Sequence, residues 1–179
     1  SYARPVVIKS GLAKKFFDQG LNFLYAFNHA EARRAFRAAA KHDPSSAMAW
    51  WGVAMSNGPH INNMMVMPEE EAEAFEAMKM ARSLASSARA VDRALIRATS
   101  ARFHIPQPAD RGGLNAAYAK EMRRVWNMYP KDGDVGALFA ESLMNLMPWD
   151  MYTKTYKPRP ATPEVVQTLE RAMKVSPNN

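Results

Sequence analysis

Between Ala13 and Pro44, apolar and small residues return at helical spacing. Phe16, Gly20, Phe23, Leu24 and Phe27 form one stripe, and Ala32, Ala35, Phe36 and Ala39 form a second. Between them stands Asn28, a good N-cap residue with Glu31 three positions on, close to a capping box. Asp43-Pro44 stops the second stripe, because proline cannot continue a helix. The pattern predicts two antiparallel helices, close together at Gly20 and Ala32, with Phe16 and Phe36 filling the space beside them.

Weaker copies of this hairpin follow. Ser46 can cap a helix carrying Trp50, Val53 and Ala54, whose partner carries Ala74, Met78 and Ala81. A third pair runs from Ala88 to Phe103 and from Leu114 to Tyr129, closed by Pro130. A fourth runs from Asp134 to Met147 and from Pro163 to Val175, closed by Pro177. Thr162-Pro163 reads as a helix start, threonine as cap and proline in the first turn. The order aromatic, Gly, aromatic, Ala-x3-Phe, Ala, Pro in the first hairpin resembles the tetratricopeptide pattern, with Phe16 where Trp is usual and Phe23 for Tyr. The expected fold is therefore all-α, an α-solenoid of about four tetratricopeptide-like hairpins. Residues 1–12 form an N-terminal extension, the hairpins span 13–44, 46–86, 88–130 and 134–177, and residues 178–179 open a further repeat.

The closers at Pro44, Ser86, Pro130 and Pro177 are spaced well beyond the roughly 34 residues of the standard unit. The extra length falls between the two helices of hairpins two, three and four. The inserts are Ser56 to Pro68, His104 to Gly113 and Pro148 to Ala161. In a stacked array equivalent loops emerge on one edge, and long ordered loops often carry function.

The stretch Phe17 to Asn62 closely resembles a group of bacterial tetratricopeptide proteins through its FDQGL, YAFNH-x-EA, DP, WWG and GP-x-IN elements. Members of that group are often exported and mostly lack an assigned activity. The resemblance implies the fold and an exported or periplasmic location over a cytoplasmic one, and no reaction. The chain begins at Ser1 without a methionine, in keeping with a processed or trimmed end.

Composition narrows the classes further. An apolar fraction of 47% and a charged fraction of 23% are those of a globular chain. The absence of cysteine excludes disulfides, thiol catalysis and thiolate metal sites. No apolar run is long enough to span a membrane. The formal charge of +7 raises nucleic acid as a partner, but Arg33, Arg34, Arg37 and Lys41 are interleaved with acids, and Lys154 to Arg159 is the densest basic stretch. No Gly-rich phosphate loop, HExxH or nucleophile elbow is present, so an enzyme and an organic cofactor are not expected. The run Glu69 to Glu71 opens a helix, where it complements the helix dipole.

Two sets of residues are expected to bind a partner protein or peptide. If the first helix of each hairpin lines a groove, as the resemblance implies, the groove exposes Lys14, Phe17, Leu21, Tyr25, Met48, Trp51 and Met55, then Arg93 and Arg97 one turn apart. That suits a peptide with an apolar anchor and an acidic end. It resembles in part the carboxylate clamp of chaperone-binding tetratricopeptide domains, although Phe17, Leu21 and Met55 replace the clamp's lysine and asparagines. The second set is the insert edge, with His60, Ile61, Asn62, His104, Trp149 and Tyr152. The expected function is a protein-binding scaffold or accessory subunit. The alternative is a soft-metal site for copper at His60, Met64, Met65 and Met67, since thioether and imidazole ligands favour Cu(I). Against it, methionine also serves as adaptable core filling, and the chain has 13.

Overall fold

The structure is a computed structural model and describes residues 2–177. The further repeat expected at residues 178–179 lies outside the described residues. Among these the chain is all-helical, without a β-strand. The helices are α1 (Gly11–Tyr25), α2 (His29–His42), α3 (Ala47–Asn57), α4 (Pro68–Ser83), α5 (Ala90–Ser100), α6 (Gly112–Met128), α7 (Gly133–Met144) and α8 (Thr162–Val175). A 3₁₀ turn over Ala85–Ser87 follows α4. No described helix is long and apolar enough to cross a membrane. The chain divides into two compact units, one of residues 1–58 and 66–108, the other of residues 59–65 and 109–179. The two helices read as the third hairpin therefore fall in different units.

In the first unit, the cap of α1 is Ser10, whose hydroxyl accepts from Ala13 N at 3.2 Å. The helix closes in a Schellman arrangement: Asn28 N donates to Phe23 O at 2.9 Å and Phe27 N to Leu24 O at 3.1 Å. Phe27 takes the left-handed position with φ of 57°, a place usually given to glycine. So Phe27 does not continue the apolar stripe; its side chain is half out in solvent. The buried face of α1 is Ala13, Phe17, Gly20, Leu21 and Leu24, whereas Phe16 is half-buried, stacked on His42 at 5.6 Å. This is a correction to the expected stripe, and its cause is geometric. The helix packs on α2 and also touches α3, so its inward direction lies between those two neighbours.

Phe36 explains why the hairpin needs its small residues. A Cβ on Gly20 would lie 2.9 Å from the Phe36 ring, and one on Gly52 of α3 would lie 2.2 Å away. Both glycines form a notch that the ring fills, and Phe17 meets it edge-on at 5.5 Å. Asn28 caps α2 by accepting from Glu31 N at 3.4 Å, but the Glu31 carboxylate pairs with Arg34 and does not return to complete a box. Ser46 caps α3, which is buried at every residue except Trp50. Nearly all-round burial marks α3 as the central helix of this unit.

The second unit repeats the device with other residues. Asp132 caps α7, accepting from Val135 N at 3.1 Å. A Cβ on Gly136 would come 2.8 Å from Ala172 of α8 and 3.0 Å from the Trp126 ring of α6. Arg171 lies over that indole at 5.2 Å from its centre, and Arg123 forms a two-pronged pair with Glu164. Thr162 does not cap α8 as expected. Ala161 holds that position, and the Thr162 hydroxyl donates to Met151 O of the preceding insert.

Candidate functional site: the seat of an extended arm

The groove residues expected to be open are closed. Phe17, Leu21, Met48, Trp51 and Met55 are all core side chains. Trp51 Nε1 donates to Thr99 Oγ1 at 2.9 Å, and Met55 Sδ accepts from Thr99 Oγ1 and from the buried Arg102. With α2, α4 and α5 all packed around it, α3 has no free face for a ligand. Lys14 is half-buried and pairs with Asp18. Tyr25 is half-buried, while Arg93 and Arg97 are exposed; Arg93 donates to Ala88 O at 2.6 Å.

What the first unit does hold is its own chain. Residues 2–10 run without regular structure, and their burial alternates. Tyr2, Arg4, Val6, Ile8 and Ser10 are inward, Ala3, Pro5, Val7 and Lys9 outward. That period of two belongs to an extended strand. The main chain of this arm is bonded by side chains from several elements. Asn22 of α1 both accepts from Tyr2 N at 3.0 Å and donates to Tyr2 O at 2.6 Å. Arg89, at the start of α5, donates to Pro5 O, and the Ser46 hydroxyl donates to Val7 O at 3.3 Å. Asp43, between α2 and α3, accepts from Lys9 N at 2.6 Å.

Other contacts read side chains. Tyr25 of the expected groove set meets the arm: its ring lies 6.2 Å from that of Tyr2. Arg4 donates to Asp92 of α5 at 3.1 Å, with only 3% of the arginine side chain and 0% of the aspartate exposed. Arg89 stands 4.0 Å from the other oxygen of that carboxylate. A buried carboxylate is tolerable only with such partners, because burying an unpaired charge is prohibitive. Asp43 shows the same logic more mildly. Burial alone would raise its carboxyl, but hydrogen bonds from Ser45 and from Lys9 N hold it below its ordinary value. Beside it a recess of about 220 Å³ is lined by Val7 and Lys9 of the arm and by Asp43, Ser45, Ser83, Leu84, Ser86 and Ser87.

The inserts divide between the units. In the first unit, His104 N donates to the buried Glu71 at 2.8 Å and Gln107 Nε2 to Val66 O at 2.7 Å, so the first and second inserts meet there. Glu71 stands in the first turn of α4, as expected, and is also a buried internal acceptor. The exposed His104 ring lies 3.0 Å from Pro106 O through Nδ1. Arg33 pairs with Glu70 and Arg37 with Glu73, tying α2 to α4. His29 also lies here; burial first, then nearby Arg102 and Arg33, push its imidazole down, against a hydrogen bond to the Phe27 backbone.

In the second unit, His60 and Asn63 close a tight turn through paired backbone bonds of 2.9 and 2.8 Å. Ile61 is buried within it and Asn62 is exposed. Met64 is half-buried and Met65 is 70% exposed, whereas Met67 belongs to the first unit. Among the described residues no group of three or more His, Cys, Asp or Glu side chains is placed to hold a metal ion. The third insert folds on itself: Thr153 N bonds Lys157 O and Arg159 N bonds Met151 O, both at 2.9 Å. Trp149 and Tyr156 stand at φ of 63° and 61°, a costly region for aromatic residues, with 77% and 87% of each exposed. Tyr152 is exposed as well.

Apart from Tyr25, the residues that seat the arm were not found from the sequence. A signal existed in Asp92, an acid inside the apolar stripe of α5 between Val91 and Leu95. No protein-family model and no curated protein matches the chain.

Proposed function

We propose that the chain is a protein-binding scaffold whose first unit seats an extended segment of a partner protein, within a tetratricopeptide-like helical array. One observation carries the reading. Side chains of Asn22, Arg89, Ser46 and Asp43 all bond the main chain of one extended segment, and so recognise a peptide as a peptide. Main-chain bonds supply affinity for any extended sequence, and pockets for alternate side chains supply selectivity. The spacing of Gly20, Phe36 and Pro44 supports the tetratricopeptide-like reading of the hairpins. The function is holding, with no chemical step.

The test is a peptide array probed with the whole chain carrying Arg4→Ala, which frees the arm, and with the Arg4→Ala, Asn22→Ala double variant. Saturable binding that falls at least tenfold in the double variant supports the seat. Binding that is indifferent to Asn22 removes it.

A second reading rests on the third insert. Two aromatic residues held at positive φ and exposed to solvent are expensive, and such strain collects at functional positions. The insert is accordingly a second contact surface, using Trp149, Tyr152 and Tyr156. If Trp149→Ala binds every partner found by the array as the parent chain does, that surface is not used.

A further inference from the structure

We infer that residues 2–10 are a resident ligand of the seat, a strap that must step aside before a partner segment enters, and that Asp92 makes the seat selective for arginine. This rests on the scaffold reading above and adds the regulation and the ligand class of the same site.

The arm has the marks of a bound peptide, not of a packed helix end. Its inward and outward residues alternate strictly, and it makes no helix or ladder of its own. Its main-chain bonds come from side chains far away in sequence: Asn22 is 20 residues from Tyr2, Ser46 is 39 from Val7, and Arg89 is 84 from Pro5. Of those helices, α1 and α3 are held together around Phe36 of α2, and α5 is tied to α3 by the Trp51 bond to Thr99, none of which needs the arm.

Selectivity comes from Arg4. A guanidinium presents several donors in a rigid plane, which suits a carboxylate at the bottom of a closed site. The Asp92 carboxylate is fully buried inside the apolar face of α5. A neutral or acidic residue in place of the arginine would lack the charged donor that bonds it at 3.1 Å. The segment that fits is therefore extended, with an aromatic residue two before the arginine and aliphatic residues two and four after it, the pattern of Tyr2, Arg4, Val6 and Ile8. A tethered strap competes at an effective concentration on the order of millimolar. A rival with the same side chains binds weakly until the strap is loosened.

The test uses the whole chain and a fluorescent peptide with the sequence of residues 2–10. Arg4→Lys loosens the strap while keeping a charge near Asp92. The expected result is at least tenfold tighter peptide binding to Arg4→Lys than to the parent chain, lost when the peptide's own arginine is replaced by alanine. Asp92→Asn is expected to remove that preference for arginine. Amide exchange of the unmodified chain gives an independent readout: Lys9 N–H is expected to exchange much faster than amides of α3, reporting an arm that opens alone. Lys9 and α3 exchanging together, or Arg4→Lys binding the peptide no better than the parent at equal helical content, overturns the strap. The two proposals fail separately. A locked arm with Asn22-dependent capture of other peptides sinks the strap and leaves the scaffold. An opening arm with no Asn22-dependent capture in Arg4→Lys sinks the scaffold.

Discussion

The arm over residues 2–10 and the third insert over residues 148–161 are both irregular, and they meet the same demand in opposite ways. Every backbone N–H and C=O needs a partner or water. The arm takes its partners from side chains of α1, α5 and the corner between α2 and α3. The insert takes them largely from itself, through Thr153, Lys157, Arg159 and Met151, and from Thr162 next to it. The consequence is visible in the side chains. Those of the arm are alternately consumed, down to the buried Arg4, whereas Trp149 and Tyr156 are left in solvent. A segment satisfied by its surroundings reports a binding surface beneath it. One satisfied internally is free to present a surface of its own.

The contrast breaks first at Arg4. Arg4→Ala takes the Arg4 bond from the buried Asp92, and removing one member of a buried pair costs roughly 3 kcal/mol. Urea unfolding is expected to show that loss, whereas Arg159→Ala, which removes an exposed pair with Asp150 in the insert, is expected to stay within about 0.5 kcal/mol. Equal effects would erase the distinction between the two segments.

Asn22→Ala comes next. It removes both bonds to Tyr2, at about 1 kcal/mol each, and releases the start of the arm without touching α3. Limited proteolysis is expected to cut that variant within residues 2–9 faster than the parent and to leave the insert unchanged.

Acid should act on the arm in the same direction. The Asp43 carboxyl lies below its ordinary value of 3.8, so its contribution is whole above pH 3.8 and is lost as pH falls through the lower, folded value. Glu70 shifts the same way: burial opposes it, but Met67 N and Arg33 hold it below 4.5. Protease cleavage of the arm is expected to accelerate below about pH 4 and not between pH 5 and 7. The insert has no carboxylate bonded in this way.

The smallest expected effect has the opposite sign. Tyr156→Gly relieves a left-handed backbone and removes no buried surface, so stability is expected to hold or rise by up to about 1 kcal/mol. A clear loss in thermal unfolding would show that Tyr156 packs on something.

How much of this was legible depends on range. The Gly20 and Phe36 contact belongs to one hairpin with a proline at its end, so spacing alone reveals it. The aromatic residues of the third insert were legible as loop residues because prolines bound them. Phe17 and Leu21 are expected in an open groove only because the resemblance places the first helix of each hairpin there. In the folded chain both are buried, Phe17 edge-on against Phe36 of α2, and α1 also touches α3, an arrangement no local pattern encodes. The arm was read only as an extension. Its partner at Asp92 is 88 residues from Arg4, and neither residue announces the other. The division into two units, which parts α5 from α6, leaves no mark in the repeat spacing either.

The most direct test of the central claim is binding of a labelled peptide of residues 2–10 to the whole chain carrying Arg4→Ala, compared with the Arg4→Ala, Asn22→Ala double variant, by fluorescence anisotropy. The account expects saturable binding in the first and at least a tenfold loss in the second, with equal helical content. Binding that ignores Asn22, or none at all to a folded Arg4→Ala chain, would contradict it.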